Sequence, residues 1–262
     1  MHLSIEGDEA TAKTTFAYTA PTPIVGFSFD LGSERAIYGT KFDDYFKGLD
    51  IQINNWKSKA SKLGKDITIW EMPIPVQLDP AHMIGMSELW QWFMQKMVEA
   101  CGNDDVRTIV VDTMTLARSL ASDAHLQSLQ TKNTDRKQLL QIEWKDPNGK
   151  IQAIWDYTRA LGKNMIGVHH LKDDYKEFVN SKGEKESVNV GTKSLEGLKT
   201  THRIVDIAIR NEKATGVIKT KIMKCGYNLS QEGLSLDNCD WNCLVGSISM
   251  SLGDRINFER RS

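Results

Sequence analysis

Apolar runs alternate with stretches of helical periodicity along most of the chain. His2–Glu6 is a short run that ends at Gly7 and reads as a strand. Lys13–Ala20 reads as a helix, stopped by Pro21 and Pro23. Ile24–Phe29 (IVGFSF) and Ile67–Trp70 are two further strands, the second halted by Pro73 and Pro75; between them Phe42, Tyr45 and Phe46 share helical spacing. Met86, Leu89, Trp90, Phe93, Met94, Met97 and Val98 form a long amphipathic stripe. Thr108–Val111 (TIVV) is an apolar strand ending in Asp112, with a helix starting near Thr115. Asp146 and Pro147 have the form of an N-cap and first helical residue, and Ile151, Ile154, Trp155, Thr158 and Leu161 carry the face behind them. Met165–Val168 (MIGV) is another strand, ending in His169 and His170.

Apolar strands separated by amphipathic helices predict an α/β fold, a mostly parallel sheet covered on both faces. Beyond residue 171 the pattern changes. Lys172–Lys193 is polar and charged and reads as a long mobile loop. Val205–Arg210 and Val217–Met223 read as C-terminal antiparallel strands joined by a turn around Thr215–Gly216, and the tail from Tyr227 reads as irregular. With no repeat and no linker, the expectation is one domain over 1–262, with its core in about 2–226 and a tail over 227–262.

Composition narrows the picture. The formal net charge of −1 over 262 residues argues against a polybasic nucleic-acid binder but not against a local basic groove. Four cysteines make no disulfide framework, and Cys239 and Cys243 alone do not make a zinc site. There is neither a signal-peptide pattern nor an apolar run of about 18 residues, so the expected location is the cytoplasm, away from membranes.

The chemistry concentrates in Gly7-Asp8-Glu9-Ala10-Thr11-Ala12-Lys13-Thr14, followed by Thr15, between a strand and a helix. A phosphate-binding loop has Gly, four residues, Gly, Lys, then Ser or Thr; here Ala12 takes the second Gly position. Backbone N–H groups of such a loop and the helix start cradle anions. Lys13 can reach the β- and γ-phosphates of ATP, and Thr14 can offer its hydroxyl to Mg²⁺. The alternative is a helix start that binds nothing.

Asp112 ends a later strand, where it can hold Mg²⁺ through water or cap the following helix. Strands lie between the phosphate loop and Asp112, a pattern typical of ATPases that activate water with a separate carboxylate. Asp30, Glu34 and Glu71 are candidates, with Glu34 preferred. His169 and His170 end the next strand, where His169 can sense the γ-phosphate.

These residues carry a resemblance. Through SIEGDEATAKTTFAYTAPTPIVGFSFDLG, TIVVDT, MIGVHH and VIKTKIMKCGYN the chain resembles the bacteriophage-encoded RecA-like P-loop ATPases of the single-strand annealing and recombination type, AAA-family ATP-binding proteins. The resemblance implies a RecA-like core that uses ATP and Mg²⁺. It also implies head-to-tail assembly into a ring or filament and action on single-stranded DNA in the infected host's cytoplasm, with a phage single-strand-binding protein as partner. It implies DNA contacts from the loop after the His169 strand, with Lys172, Lys176, Lys182, Lys185, Lys193 and Lys199. Lys221 and Lys224, with Lys219 nearby, would reach a neighbouring subunit's ATP; a further lysine expected two places after Lys224 is Gly226.

Three functions follow. The first is a DNA-stimulated ATPase. The second is a nucleotide-gated assembly protein with little or no hydrolysis, which Ala12 and Gly226 favour. The third is a small-molecule kinase, against which stands the absence of arginine from Lys172–Lys199.

Overall fold

A computed structural model describes residues 1–262 except 40–42, 59–60, 80, 180–184 and 253–262. Phe42 and Lys182 lie outside the described residues. The chain runs β1 (His2–Gly7), α1 (Lys13–Ala17), β2 (Ile24–Ser28), α2 (Ser33–Tyr38), α3 (Asp43–Phe46), β3 (Ile51–Asn55), β4 (Ile67–Glu71), α4 (Met86–Gly102), β5 (Thr108–Asp112) and α5 (Met114–Gln130). It continues through α6 (Lys145–Ala160), β6 (Asn164–His169), β7 (Leu171–Val179), β8 (Lys185–Leu195), α7 (Thr201–Ile204), β9 (Ile207–Ala214), β10 (Val217–Cys225), β11 (Ser235–Asp237) and α8 (Trp241–Leu252).

The main sheet has nine strands in the order β11-β10-β9-β1-β6-β5-β2-β4-β3. Strands β9 through β3 in that order pair in parallel, and β10 and β11 add an antiparallel edge. This is the α/β class that the sequence pattern predicts.

Strand alternation sorts the apolar residues onto two faces. Leu3, Ile5, Val110, Ile166, Val168, Ile207 and Ile209 pack with Phe16, Ile37 and Phe46 of the short helices. Phe27, Ile109, Val111 and Met165 pack with α4, α5 and α6 through Leu89, Phe93, Ala117, Leu120, Ile154 and Trp155. Both faces of the central strands are buried, which is why TIVV and MIGV are continuous apolar runs.

Four expectations change. The described residues of Lys172–Lys193 are not a loop but lie on the paired antiparallel strands β7 and β8, a separate two-stranded sheet. Its apolar residues Tyr175, Phe178, Val179, Val188 and Val190 are exposed, so no buried stripe marks it in sequence. Its register shifts between Asp173 and Tyr175, where the Asp174 carboxylate accepts hydrogen bonds from Thr192 Oγ1 (2.9 Å) and Ser194 Oγ (2.6 Å) across the strands.

The tail is not irregular either. Helix α8 buries Trp241, Leu244 and Ile248 on the α1 side of the sheet, and the Trp241 N–H donates to Thr19 Oγ1 at 2.9 Å. Finally, α6 starts at Lys145 behind a 3₁₀ turn at Gln141–Trp144, so Asp146 and Pro147 sit inside its first turn instead of capping it. Pro is tolerated there because that N–H has no intrahelical partner. Helix α1 ends at Ala17, short of Ala20.

Candidate nucleotide-binding site

The parallel strands bring their C-terminal ends to one edge. Gly7 pairs in register with Asn211, Glu6 with His169, Val168 with Asp112, Asp112 with Ser28, and Ser28 with Glu71. In sheets of this kind ligands bind at that edge.

Gly7 leads into the loop. A Cβ at Gly7 would lie 2.5 Å from the Asn211 carbonyl oxygen and 2.8 Å from Thr11 Oγ1, so only glycine fits. Thr11 Oγ1 donates to the Asp8 carbonyl (2.8 Å), and Asn211 Nδ2 donates to the Thr11 carbonyl (3.0 Å). Asn211 is itself fixed by Thr220 Oγ1 at 2.9 Å. Lys13 opens α1, is buried, and donates through Nζ to the Gly7 (2.9 Å) and Asp8 (2.6 Å) carbonyls. Burial pushes its ammonium below the ordinary lysine value, against the charges of Asp112, Asp8, Asp30 and Glu9. Thr15 turns away from the loop, its hydroxyl donating to the Ala36 carbonyl (2.9 Å), whereas Thr14 influences Asp112. Asp8, Glu9 and Ala10 are exposed at the loop's crest.

Ala12 occupies the second glycine position in the left-handed conformation, at φ 56° and ψ 26°, and Ala10 has φ 56° as well. A left-handed non-glycine residue costs about 1–2 kcal/mol. Ala12→Gly is therefore expected to raise unfolding stability by about 0.5–1 kcal/mol, net of the extra chain entropy of glycine. Thermal melts check this; a variant that melts below wild type contradicts the strain.

Asp112 is fully buried, and neither carboxylate oxygen has a hydrogen-bond partner. Burial and the Asp30 charge push its pKa up to about 7, while the Thr14 hydroxyl and Lys13 pull it down. It does not cap α5: Thr113 does, accepting from the Leu116 N–H at 3.2 Å. A buried carboxylate left without donors is costly unless a ligand completes it. The pair of Thr14 and Asp112 therefore fits Mg²⁺, an ion that takes one or two protein oxygens and fills its shell with water and phosphate. Among the described residues no group of three or more His, Cys, Asp or Glu side chains could hold an ion by itself.

Three acids border this pair. Asp30 is exposed, with Oδ1 accepting from the Gly32 N–H (3.1 Å) and Ser28 Oγ (3.4 Å). Its charge is felt at Lys13, Tyr18, Glu71 and Asp112. Glu34 is exposed in the first turn of α2, and its charge is felt at Glu71. Burial, then Glu34 and Asp30, push the Glu71 carboxyl up. Asp30 thus has the stronger link to Lys13 and Asp112, and Glu34 stands one step out.

A family model described as an AAA domain matches residues 1–224. The chain belongs to this AAA-domain family. The match takes in the phosphate loop, Asp112 and the sheet through most of β10, and stops before β11 and α8. No curated protein matches the sequence. Among solved structures the chain is similar to the RadB recombinase, at 12% identity and TM-score 0.44, over 90% of this chain and 85% of that one. It is also similar to a KaiC-like protein from the hyperthermophilic archaeon Pyrococcus horikoshii OT3, at 13% identity and TM-score 0.41, over 90% and 84%.

In this AAA domain Tyr18 and Glu6 were not legible as site residues. The Tyr18 hydroxyl is buried without a partner above Gly26, where a Cβ would come within 2.3 Å of it. Burial, then the charges of Asp112 and Asp30, hold it well above the ordinary tyrosine value. Glu6, directly before Gly7, is fully buried and pairs with Arg210 of β9 and His202 of α7. His169 neighbours this cluster; it is buried with both ring nitrogens unpartnered, and burial pushes its pKa down to about 3, so the ring is neutral.

The lysines divide. Lys172 and Lys176 are exposed on β7, and Lys193 of β8 bonds Asp8 in the phosphate loop at 2.7 Å. Lys221 is exposed on β10. Lys224 Nζ instead donates to the His202 (2.8 Å) and Val205 (2.6 Å) carbonyls at the end of α7. Among the described residues no helix is long and apolar enough to cross a membrane.

Proposed function

We propose that this AAA domain binds ATP with Mg²⁺ at the phosphate loop and hydrolyses it while acting on single-stranded DNA, in phage recombination or replication. The observation that carries the reading is the Lys13 ammonium set beside a fully buried, partnerless Asp112 carboxylate at the C-terminal edge of a parallel sheet. Lys13 and the loop N–H groups of Gly7–Thr15 hold the phosphates. Thr14 and Asp112 hold the ion, which when bound neutralises charge on the phosphates. An acid of the Asp30, Glu34 and Glu71 group orients water. His169, neutral at working pH, sits where the phosphate loop meets the hairpin and reports the γ-phosphate. Lys172 and Lys176, with Lys193 nearby, meet the DNA backbone on the hairpin.

In a ring or filament of identical subunits Lys221 reaches a neighbour's nucleotide; Lys224 joins it only by leaving its α7 carbonyls. A phage single-strand-binding protein and the host cytoplasm complete the setting that the family resemblance implies.

The experiment is ATP hydrolysis with Mg²⁺, with and without single-stranded DNA, for wild type and Lys13→Ala. Turnover that rises with DNA and vanishes in the variant is expected. Equal turnover in both proteins rules out the site. A second reading, a nucleotide-gated assembly protein with little hydrolysis, is favoured by the left-handed alanines Ala10 and Ala12. ATP-dependent oligomerisation without turnover selects it.

A further inference from the structure

The geometry points to Lys193 as a second phosphate-binding cation, supplied by the chain's own hairpin, that engages the terminal phosphate of a bound nucleoside triphosphate. This rests on the phosphate-loop reading above.

Two lysines converge on one loop residue. Lys13 Nζ donates to the Asp8 carbonyl at 2.6 Å, and Lys193 Nζ donates to the Asp8 carboxylate at 2.7 Å. By covalent geometry the carbonyl and carboxylate oxygens of one residue lie within about 6 Å of each other. The two ammonium groups therefore stand at most about 11 Å apart, close enough for both to contact phosphate oxygens of one triphosphate laid along the loop.

Lys193 is also held from below. Its carbonyl accepts from Arg210 Nη2 at 3.3 Å, and Arg210 pairs with Glu6, the residue before Gly7. The backbone of Lys193 is thus tied to the strand that launches the loop, and only its flexible side chain has to turn.

Charge supplies the direction. Asp8 is exposed at the loop crest and repels an arriving polyanion. Lys193 cancels that charge while the loop is empty. With the γ-phosphate present the ammonium has a more highly charged acceptor, and an exposed pair such as Lys193–Asp8 is weak enough to exchange. A diphosphate, one phosphate shorter, does not offer that acceptor. Lys193 thereby discriminates ATP from ADP and links the hairpin to the state of the nucleotide, while Lys172 and Lys176 remain outside.

The test is titration of the full chain with Mg-ATP and with Mg-ADP. Lys193→Gln is expected to lower the ratio of ATP to ADP affinity roughly tenfold, the scale of one charge-assisted hydrogen bond. Lys193→Arg restores the ratio, and Asp8→Asn raises it by removing the competitor. If Lys193→Gln weakens both nucleotides alike, or neither, the inference is overturned. A Lys13→Ala control separates the two failures. Binding lost in that control with the Lys193→Gln ratio unchanged removes only the role of Lys193. Binding retained in it removes the phosphate-loop reading as well.

Discussion

Replacing Asp112 with asparagine is expected to lower Mg²⁺-dependent ATP turnover by about 10²–10³-fold, the usual loss when one charge-stabilising group leaves a site. It is also expected to leave the melting temperature unchanged or higher. The two effects have one cause. Asp112 is a strand-end carboxylate in a fully buried position with no donor on either oxygen. This burial is a cost, because the charge has lost water and the Thr14 hydroxyl and Lys13 offset only part of that loss. An amide of the same shape loses less, so stability does not fall. In the proposed site the same carboxylate would join Thr14 in holding Mg²⁺ beside the nucleotide, and an amide is a poor substitute there. Steady-state hydrolysis and thermal melts on the same preparation check this. A variant that melts well below wild type would make Asp112 a structural residue.

Glu6→Gln is expected to do the opposite, acting mainly on stability. Glu6 is buried and holds Arg210, with Nε to Oε1 at 2.7 Å, and His202, at 3.2 Å. Removing one member of a fully buried pair costs about 3–5 kcal/mol; since Arg210 and His202 keep some contact with water, about 2–3 kcal/mol is expected here.

The effect carries a pH signature. Burial pushes the Glu6 carboxyl up, but the hydrogen bonds from His202 and Arg210 and their charges outweigh it, so its folded pKa lies below the ordinary value of 4.5. A depressed carboxyl pKa stabilises the fold above the unfolded value, and that contribution is lost as pH falls through the folded value. The difference in stability between wild type and Glu6→Gln should thus be constant at neutral pH and shrink below about pH 4.5. Denaturant unfolding at neutral and acid pH measures it. A difference that grows on acidification contradicts the pairing.

The contrast between these two carboxylates shows what was legible in the sequence. Asp112 follows TIVV, an apolar run long enough to mark a central strand, so its place at the sheet edge could be read locally. The place of Lys13 and Thr14 at the start of α1 could be read because their spacing from Gly7 is what a phosphate-binding loop requires. Glu6 was hidden. In His2-Leu3-Ser4-Ile5-Glu6 the alternation assigns His2, Ser4 and Glu6 to a wet face, yet all three are buried. The face is dry because β1 lies mid-sheet, and the partners that make Glu6 tolerable lie far along the chain, at His202 and Arg210.

Other misses follow the same logic. Trp241, Leu244, Val245 and Ile248 have helical spacing and belong to α8, but the polar residues before them obscure the start. The β7–β8 hairpin has strand-forming Tyr, Phe and Val residues whose side chains stay in solvent, so no burial pattern announced it. Asn211, which braces the phosphate loop from the middle of β9, is one of four consecutive polar residues, Arg210–Lys213, and becomes meaningful only when the register with Gly7 is known.

The Gly7–Thr15 loop is the proposed nucleotide site. The most direct measurement is calorimetric titration of Mg-ATP into wild type and Lys13→Ala, with the fold of both verified by their melts. Saturable one-site binding to wild type that Lys13→Ala weakens at least about tenfold is the predicted result, a loss of about 1.4 kcal/mol. Equal affinity in the two proteins, or no binding to a folded wild type, contradicts it.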